Sequence, residues 1–359
     1  MKIIIFATCF YEYTIELANS LAKKNEICLM LPSNLLNDFH TKRISNRVKI
    51  KHFFMPRQRS PQSILMMFNI YKKFKSFKPD IIHLQAHGGL WFFLLLPYLL
   101  RNKVINTIHD AVPHLGEEKF RYRFMLRMGL FFSNRFIVHG ENIKKIVFDK
   151  YGIDKQTIDV IPHGDLNFYK EISNYESKEK KNSVLFFGRL WKYKGLKYLM
   201  KAAPIICEKI NNFKIVLAIH GESFDDYKSY VHDESIYEVH EKYIPSEEVS
   251  RLFEESSLVI LPYVEASQSG VLSMAMSYGK PAVCTDVGSL SEAMIDGKTG
   301  ILVPPKDYKK LAFAVIELLE NEDLRISMGA NALQHSKENF SWHHISKLTS
   351  KSYEEVLND

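Results

Sequence analysis

The segment FFGRLWKYKGLKYL (186–199) places two cations where they could bind a phosphate group together. Gly188 permits a tight exit from a preceding β-strand, and Arg189 and Lys194 follow it. Arginine offers a planar fork of donors to phosphate, whereas lysine offers a compact point charge. A solvated basic turn would account for either cation alone. The pair, set between a strand and a helix and flanked by glycines, predicts phosphate binding.

A second segment, EASQSGVLSMAM (265–276), is a polar loop that opens a helix near Gly270. The first backbone N–H groups of such a helix, here those of Gly270, Val271 and Leu272, favour an anion because of the helix dipole. Ser269 is suited to cap this helix or to contact the phosphate. An ordinary N-capped helix is the alternative interpretation. Met274 shares an i, i+3, i+4, i+7 face with Val271, Ala275 and Tyr278, which predicts a core residue.

Histidines at the ends of two predicted strands are further candidates. His109 ends the strand in TIHDAVPH (107–114), and His163 precedes Gly164 in IPHGDL (161–166). A single histidine is more often structural than functional, but two at strand ends favour a site modestly. His83 and His87 are interpreted as structural.

The elements that must position these residues are short β-branched runs alternating with amphipathic helical stretches, which predict parallel sheets covered by helices. A polar segment interrupts the alternation, after which it restarts. We therefore predict an α/β fold with two tandem Rossmann-like domains. These are an N-terminal domain (1–167), a linker (168–182), a second domain (183–339) and a C-terminal helix (340–359) that packs back toward the N-terminal domain. The strands are expected at 2–7, 26–31, 48–55, 80–85, 104–109, 135–140 and 158–164, then at 183–188, 214–221, 237–244, 258–263 and 280–286.

Composition limits the functional classes. The 359 residues are 46% hydrophobic and contain no apolar run of the ~20 residues that a transmembrane helix needs; GLWFFLLLPYLL (89–100) is short and contains Pro97. Four scattered cysteines favour a reducing cytoplasm over a disulfide framework. No GxGxxG, P-loop, GxSxG or CxxC motif is present, and FDDY (224–227) is interpreted as surface. We expect no cofactor and no metal.

The positive charge is concentrated in the first half of the chain. Residues 1–167 carry 25 Lys and Arg against 13 Asp and Glu, a net charge of +12, and residues 42–78 carry 11 basic residues and no acidic one. A solvated surface is the simplest interpretation. Because no nucleic-acid motif occurs and aromatic residues are interleaved at 119–136, an anionic membrane or a lipid diphosphate is the preferred partner.

Taken together, these motifs resemble those of the bacterial family 4 retaining glycosyltransferases over nearly the whole chain. The family's GRL…KG element is matched at 188–195, its IPNGV element at 161–164 with His163 in place of Asn, and its TxH element at Thr107 and His109. GKPAVCTDVGSLSE (279–292), DGKTGILVPPKD (296–307) and FSW (340–342) also match. The chain departs from the family's E-x7-E motif, because Ala266 and Met274 occupy the two Glu positions and SQSGV stands between them. The family's glycine-rich first loop is also missing.

The resemblance implies the GT-B fold, with the two domains facing each other across a cleft, and transfer of a sugar with retention at the anomeric carbon. It implies a UDP- or GDP-sugar donor, no metal, and a glycan or lipid-linked diphosphate acceptor. Arg189, Lys194 and the Gly270 helix terminus would stabilise the leaving diphosphate, and His109 would orient donor and acceptor. The implied donor-binding residues are Gly188, Glu265, Gln268, Ser269, Gly270, Val271, Leu272, His163 and Gly164, with Gln268 or Glu265 supplying the contact of the absent Glu.

The role implied is bacterial surface polysaccharide synthesis, in capsule, O-antigen or exopolysaccharide, by a cytoplasmic enzyme peripheral to the inner face of the membrane. Two alternatives stay open. A non-catalytic GT-B binding protein would bind a nucleotide-sugar without turnover. A nucleotide-sugar epimerase would need acid and base carboxylates and no acceptor.

Overall fold

A computed structural model of the protein describes residues 1–57, 60–85, 94–112, 119–172 and 177–358. The chain forms two compact units. Unit 1 comprises Met1–Gly164 together with Trp342–Asp359, and unit 2 comprises Asp165–Ser341. Each unit contains its own parallel β-sheet, which confirms the predicted fold class of two Rossmann-like α/β domains.

Unit 1 is built on a parallel sheet in the order β3-β2-β1-β4-β5-β6-β7. β1, β4 and β6 are buried at nearly every position, as expected for strands covered on both faces. The strands are β1 Lys2–Phe6, β2 Glu26–Met30, β3 Lys49–Ile50, β4 Ile81–Leu84, β5 Lys103–Ile108, β6 Arg135–Val138 and β7 Ile158–Val160. The helices are α1 Tyr11–Leu21, α2 Asp38–Arg43, α3 Gln62–Phe77, α4 Leu96–Leu99, α5 Lys119–Phe132 and α6 Glu141–Tyr151.

Unit 2 is built on a second parallel sheet, in the order β10-β9-β8-β11-β12-β13. Its order reverses at β8, so the carboxyl ends of β8 and β11 flank the position where open α/β sheets bind ligands. The strands are β8 Ser183–Leu190, β9 Lys214–Gly221, β10 Tyr237–Glu241, β11 Leu258–Leu261, β12 Ala282–Thr285 and β13 Gly300–Val303. The helices are α7 Phe168–Glu171, α8 Leu196–Cys207, α9 Ser246–Glu255, α10 Gly270–Ser277, α11 Leu290–Ala293, α12 Tyr308–Glu320 and α13 Glu322–Asn339.

The final helix, α14 (Trp342–Asn358), belongs to unit 1. It packs on α1, where Ser20 Oγ donates to the carbonyl of Trp342 at 2.9 Å and lies 2.8 Å from Ser346 Oγ. The side chain of Tyr353 is fully buried in the unit 1 core. The predicted linker, 168–182, contains α7, and its residues 173–176 lie outside the described residues.

Several predicted elements differ in extent. The segment 48–55 forms a strand only at Lys49–Ile50, because its remainder joins the loop that leads to α3. The strand β13 was not predicted, because its sequence GILV directly follows a turn and shows little alternation of polar and apolar residues. Residues 89–93 of the apolar segment 89–100 lie outside the described residues, and its second half contains α4. Among the helices that the structure describes, none has the length and apolar character needed to cross a bilayer.

The turn between β8 and α8 touches the end of β11 at Gly195. Gly195 has a φ of +69°, and a Cβ atom there would lie 1.9 Å from the carbonyl oxygen of Pro262. Gly297, in the same unit, has a φ of +71° with no atom within 4 Å of its Cβ position. The two glycines therefore share a left-handed backbone, but only Gly195 is also required by close packing.

Gly195→Ala should consequently be much less stable than Gly297→Ala. Left-handed backbone costs a non-glycine residue about 1–2 kcal/mol in both variants, and overpacking against Pro262 adds about 1–3 kcal/mol in the first. Urea unfolding of the full chain, followed by circular dichroism, measures the difference. Equal midpoints for the two variants would show that the turns after β8 and β11 do not touch as described.

Candidate active site

The exit from β8 brings Gly188 against two residues that the sequence placed in the site. Gly188 has a φ of +109°, and a Cβ atom there would lie 3.6 Å from both the Nζ of Lys194 and the Cγ2 of Val271. The 3₁₀ turn Lys192–Lys194 then carries the lysine back over the strand end. The structure therefore brings the turn that holds Gly188 and Lys194 together with the start of α10, which is far away in sequence.

Lys194 is a partly buried cation. Its Nζ donates a hydrogen bond to the hydroxyl of Tyr263 at 2.8 Å and lies 4.5 Å from the centre of the Tyr263 ring. Burial lowers the pKa of Lys194 to about 8, with Arg189 acting in the same direction and Tyr193 opposing it. Within the described residues, no carboxylate forms an ion pair with Lys194. A buried ammonium group without an anion is typical of a site that binds one.

Arg189 and His220 add positive charge beside Lys194. Arg189 is exposed, with its guanidinium carbon 5.5 Å from the ring centre of Trp191. His220 lies directly opposite Arg189 in the β8–β9 register. Burial lowers the pKa of His220, and the positive charges of Arg189 and Lys194 lower it further. The sequence analysis missed His220 and Tyr263, although both lie at or just beyond strand ends.

The N-terminus of α10 is capped by Ser269. Its Oγ accepts a hydrogen bond from the N–H of Leu272 at 3.3 Å, and its carbonyl accepts one from the N–H of Ser273 at 3.2 Å. The cap therefore occupies the Leu272 N–H that the sequence assigned to an anion. Gly270 and Val271 lie in the first turn of α10, where backbone N–H groups have no acceptor within the helix and could donate to an anion.

Gln268 presents a buried polar atom without a partner. Its Oε1 is buried and accepts no hydrogen bond from any described residue, and the same holds for the Oγ of Ser289. The loops that carry them touch, because a Cβ atom on Gly288, at φ +54°, would lie 1.6 Å from the carbonyl oxygen of Ala266. An unsatisfied buried acceptor costs about 1–3 kcal/mol, so these atoms indicate a place for a polar ligand or water. Glu265 lies on the same loop and is partly buried.

Met274 lies in the core beneath this loop. It is 4% exposed and belongs to a cluster that includes Phe253, Leu261, Leu272 and Cys284. The prediction that Met274 is a core residue is thus confirmed. The family 4 glycosyltransferases carry a Glu at this position, whereas here the position is apolar and shielded from solvent.

The remaining predicted residues lie in unit 1. His109 follows β5, is 4% exposed and stacks on Phe10 at a ring-centre distance of 3.9 Å. His163 Nδ1 lies 2.8 Å from the carbonyl oxygen of Gly164, and burial lowers the pKa of His163. A Cβ atom on Gly164 would lie 2.5 Å from the Trp342 ring, so this glycine makes room for that ring. His83 is fully buried, as expected of a structural residue, and His87 lies outside the described residues.

Comparisons with known proteins identify both halves of the chain. Residues 168–335 match the family described as Glycosyl transferases group 1, and residues 12–165 match Glycosyltransferase Family 4. We therefore assign the chain to the GT-B glycosyltransferases. It is 30% identical over 220 residues to a D-inositol 3-phosphate glycosyltransferase of Paenarthrobacter aurescens, an alignment that spans 58% of this chain and 54% of that relative.

Solved structures share the fold at low sequence identity. A sucrose-phosphate synthase of Thermosynechococcus elongatus has a TM-score of 0.75 at 16% identity, with 100% of both chains covered. The Anabaena protein HepE, solved in complex with UDP and glucose, has a TM-score of 0.72 at 16% identity, with 99% of this chain and 100% of that chain covered. At these identities the likeness establishes the fold alone.

Replacing Met274 with Glu should destabilise unit 2 by at least about 3 kcal/mol at pH 8, because the position offers a carboxylate neither water nor a cation. Met274→Leu, which conserves volume, should cost less than about 1.5 kcal/mol. Since burial would raise the pKa of the new carboxyl group in the folded state, the penalty should shrink as pH falls toward 5. Urea unfolding of both variants at pH 5 and pH 8 measures these differences, and a Glu variant as stable as the Leu variant at pH 8 would mean that the position is open.

Proposed function

We propose that this protein transfers a sugar from a UDP- or GDP-sugar to an acceptor hydroxyl with retention of anomeric configuration. The observation that carries the proposal is the partly buried ammonium group of Lys194, which lies beside Arg189 and the start of α10 without a carboxylate partner among the described residues. The family assignment and the complex of HepE with UDP and glucose support a nucleotide-sugar donor.

The leaving diphosphate makes the main electrostatic demand of such a reaction. As the bond between the anomeric carbon and the diphosphate oxygen breaks, negative charge grows on that oxygen. Lys194 and Arg189 would stabilise it as fixed cations, and the N–H groups of Gly270 and Val271 would add the dipole of α10. Lys194 is suited to this task because its desolvated charge interacts more strongly than one in water.

Retention follows in this proposal from attack on the same face that the diphosphate leaves. The acceptor oxygen forms the new bond to the anomeric carbon while its proton passes to an oxygen of the departing diphosphate. No protein nucleophile takes part, and His109 would orient donor sugar and acceptor. Gln268, whose Oε1 is buried without a partner, would accept a hydrogen bond from a donor hydroxyl, with Glu265 on the same loop. Ser269, His163 and Gly164 complete the proposed donor-binding set.

Removing either cation should slow turnover strongly. Arg189→Ala and Lys194→Ala are each expected to lower kcat about 10²–10³-fold, which is the effect of losing one charge partner in the transition state. Lys192→Ala, in the same turn, is the matched control and should keep near-native rates. The measurement is product formation from a UDP- or GDP-sugar with an acceptor glycan, and near-native rates in both site variants with folding intact would refute the diphosphate assignment.

The same two cations lead us to propose that the reaction needs no metal, because they supply the positive charge that a divalent ion would otherwise bring to the diphosphate. Turnover should therefore persist in excess EDTA. Loss of activity in EDTA that returns with added Mg²⁺ or Mn²⁺ would contradict this part of the proposal.

We further propose that the acceptor is lipid-linked, in bacterial surface polysaccharide synthesis, and that unit 1 docks on an anionic membrane. The exposed face of α3 combines the apolar side chains Ile64, Leu65 and Phe68 with Lys72 and Lys75 within about 100° of the helix circumference. Leu65 is 66% exposed and Phe68 is 55% exposed. Lys72 lies 4.4 Å from the Phe68 ring centre, so charge and apolar surface adjoin. A helix with this pattern is typical of one that lies on an anionic bilayer.

A groove of about 470 Å³ adjoins this face. It is lined by Phe54, Leu65, Met66 and Lys73 among others, and Phe54 is exposed. Burial lowers the pKa of Lys73, and Lys51 lowers it further, so positive charge is concentrated beside the groove. Aliphatic lipid chains and phosphate groups would meet complementary surfaces here.

Flotation with phosphatidylglycerol vesicles tests the docking. Binding should occur at low salt, weaken in high salt, and fall about tenfold or more in the double variant Lys72→Glu/Lys75→Glu, since each basic residue near an anionic surface contributes about 1 kcal/mol. Lys309→Glu/Lys310→Glu, which makes the same charge change on an exposed helix of unit 2, should bind like the native protein. Absence of binding at low salt would favour a soluble anionic glycan as the acceptor.

A further inference from the structure

A continuous chain of hydrogen bonds runs through the interior of unit 1 and reaches His109 from both sides. On one side, His83 Nδ1 lies 2.6 Å from Tyr353 Oη, and His83 Nε2 lies 2.8 Å from Thr107 Oγ1. The amide of Gln85 then bridges the two histidines, with its nitrogen 3.1 Å from His83 Nε2 and its oxygen 3.2 Å from His109 Nε2.

On the other side, His139 connects His109 to the backbone. Its Nε2 lies 3.1 Å from His109 Nδ1, and its Nδ1 lies 2.9 Å from the carbonyl oxygen of Ile161. Both nitrogens of His109 are therefore engaged by protein groups. His83, Gln85 and His139 are all buried, which means that water does not compete for these contacts.

The position of each proton follows from the carbonyl of Ile161. A carbonyl only accepts, so His139 must carry its proton on Nδ1. Burial lowers the pKa of His139 to about 3, so its Nε2 is a bare acceptor at neutral pH. His109 must then donate from Nδ1, which leaves its Nε2 as an acceptor when the ring is neutral.

Gln85 can satisfy that acceptor without losing a contact. A half-turn of its terminal amide exchanges oxygen and nitrogen, so that the NH₂ group donates to His109 Nε2 and the oxygen accepts from His83 Nε2. His83 then accepts from the hydroxyl of Tyr353, and every contact in the chain has one donor and one acceptor. With the oxygen facing His109, by contrast, the ring would have to be a buried imidazolium, which is costly.

We propose that Gln85 and His139 are positioning residues for His109, which hold its ring by both nitrogens and fix it as the neutral tautomer protonated on Nδ1. This inference rests on the proposed function, in which His109 orients donor and acceptor. Because both ring nitrogens are engaged by protein groups, His109 would do so through its ring edge and backbone, in the place that Gln85 and His139 fix. Phe10 supports the same placement, since it stacks on the His109 ring from a left-handed backbone with φ +56° that a bulky residue rarely adopts.

Several groups among the described residues face His109 and could perturb this state. His139 and His83 come from the ends of β6 and β4, Tyr13 of α1 meets the ring edge at 5.2 Å between ring centres, and Asp110 follows in the chain. His163 reaches the cluster through Tyr13, at 5.0 Å between ring centres. Replacing Gln85 with Glu would perturb the His109 tautomer most directly. A carboxylate only accepts hydrogen bonds, so it would favour a proton on His109 Nε2.

Nitrogen NMR of ¹⁵N-histidine-labelled full-length protein at pH 7 tests the proposal, with the His109→Gln spectrum used for assignment. The native protein should show His109 protonated on Nδ1 alone. Gln85→Glu should convert it to the doubly protonated form, and His139→Phe should move the proton to Nε2. Gln156→Glu, on an exposed turn of the same unit, adds the same charge and should leave His109 unchanged.

Kinetics of the same variants complete the test. Gln85→Glu and Gln85→Met should lower kcat about 10²-fold, the scale of a misplaced reactive geometry, with a smaller change in KM. A doubly protonated or Nε2-protonated His109 in the native protein would overturn the proposal, as would an unchanged His109 tautomer in His139→Phe. The expected spectra in a native protein that transfers no sugar would instead leave the positioning intact and refute the proposed function.

Discussion

The arrangement of unit 2 depends on placing one uncompensated ammonium group at the carboxyl end of its sheet. Lys194 is drawn in by Tyr263 and is held without a carboxylate partner among the described residues. That placement depends on Gly188, whose φ of +109° favours glycine, and on Gly195, where a side chain would clash with the carbonyl of Pro262. Tyr263 offsets part of the cost of removing this cation from water, and a bound anion would offset the rest, which favours negatively charged ligands.

In unit 1, the corresponding feature is the buried histidine His109, which hydrogen bonds hold in a fixed position. Four strand-end histidines and one glutamine lie at neighbouring carboxyl ends of β4 to β7. The hydrogen bonds that link His83, Gln85, His109 and His139 end on the carbonyl of Ile161, which fixes the direction of donation through His139 and His109. The pairing of adjacent strands thus places these side chains next to one another, and their hydrogen bonds determine which ring nitrogen carries each proton.

The sequence predicted most of the fold because buried parallel strands are β-branched runs and helices carry a 3.6-residue period. It predicted that Arg189, Lys194 and Ser269 belong to one region, since each follows a strand. It did not predict Tyr263 and His220, which become neighbours of Lys194 and Arg189 only through strand order. The link between Gln85 and His109 was also missed, because hydrogen bonds between adjacent strands leave no spacing signal in a single sequence. The bounds of β3 and β13 are set by their pairing with β2 and β12, and the local sequence pattern does not reveal them.

The pH dependence of UDP binding tests the central claim most directly. Because burial lowers the pKa of free Lys194 to about 8, a bound diphosphate must restore the proton that the lysine loses above that pH. Titration calorimetry between pH 7 and 9, where the phosphates of UDP stay ionised and its uracil N3–H stays mostly protonated, should show affinity falling above pH 8 by up to about tenfold per pH unit. Lys194→Arg should remove this dependence, since arginine stays charged throughout. UDP affinity that is constant to pH 9 in the native protein would contradict the assignment of Lys194 to the diphosphate.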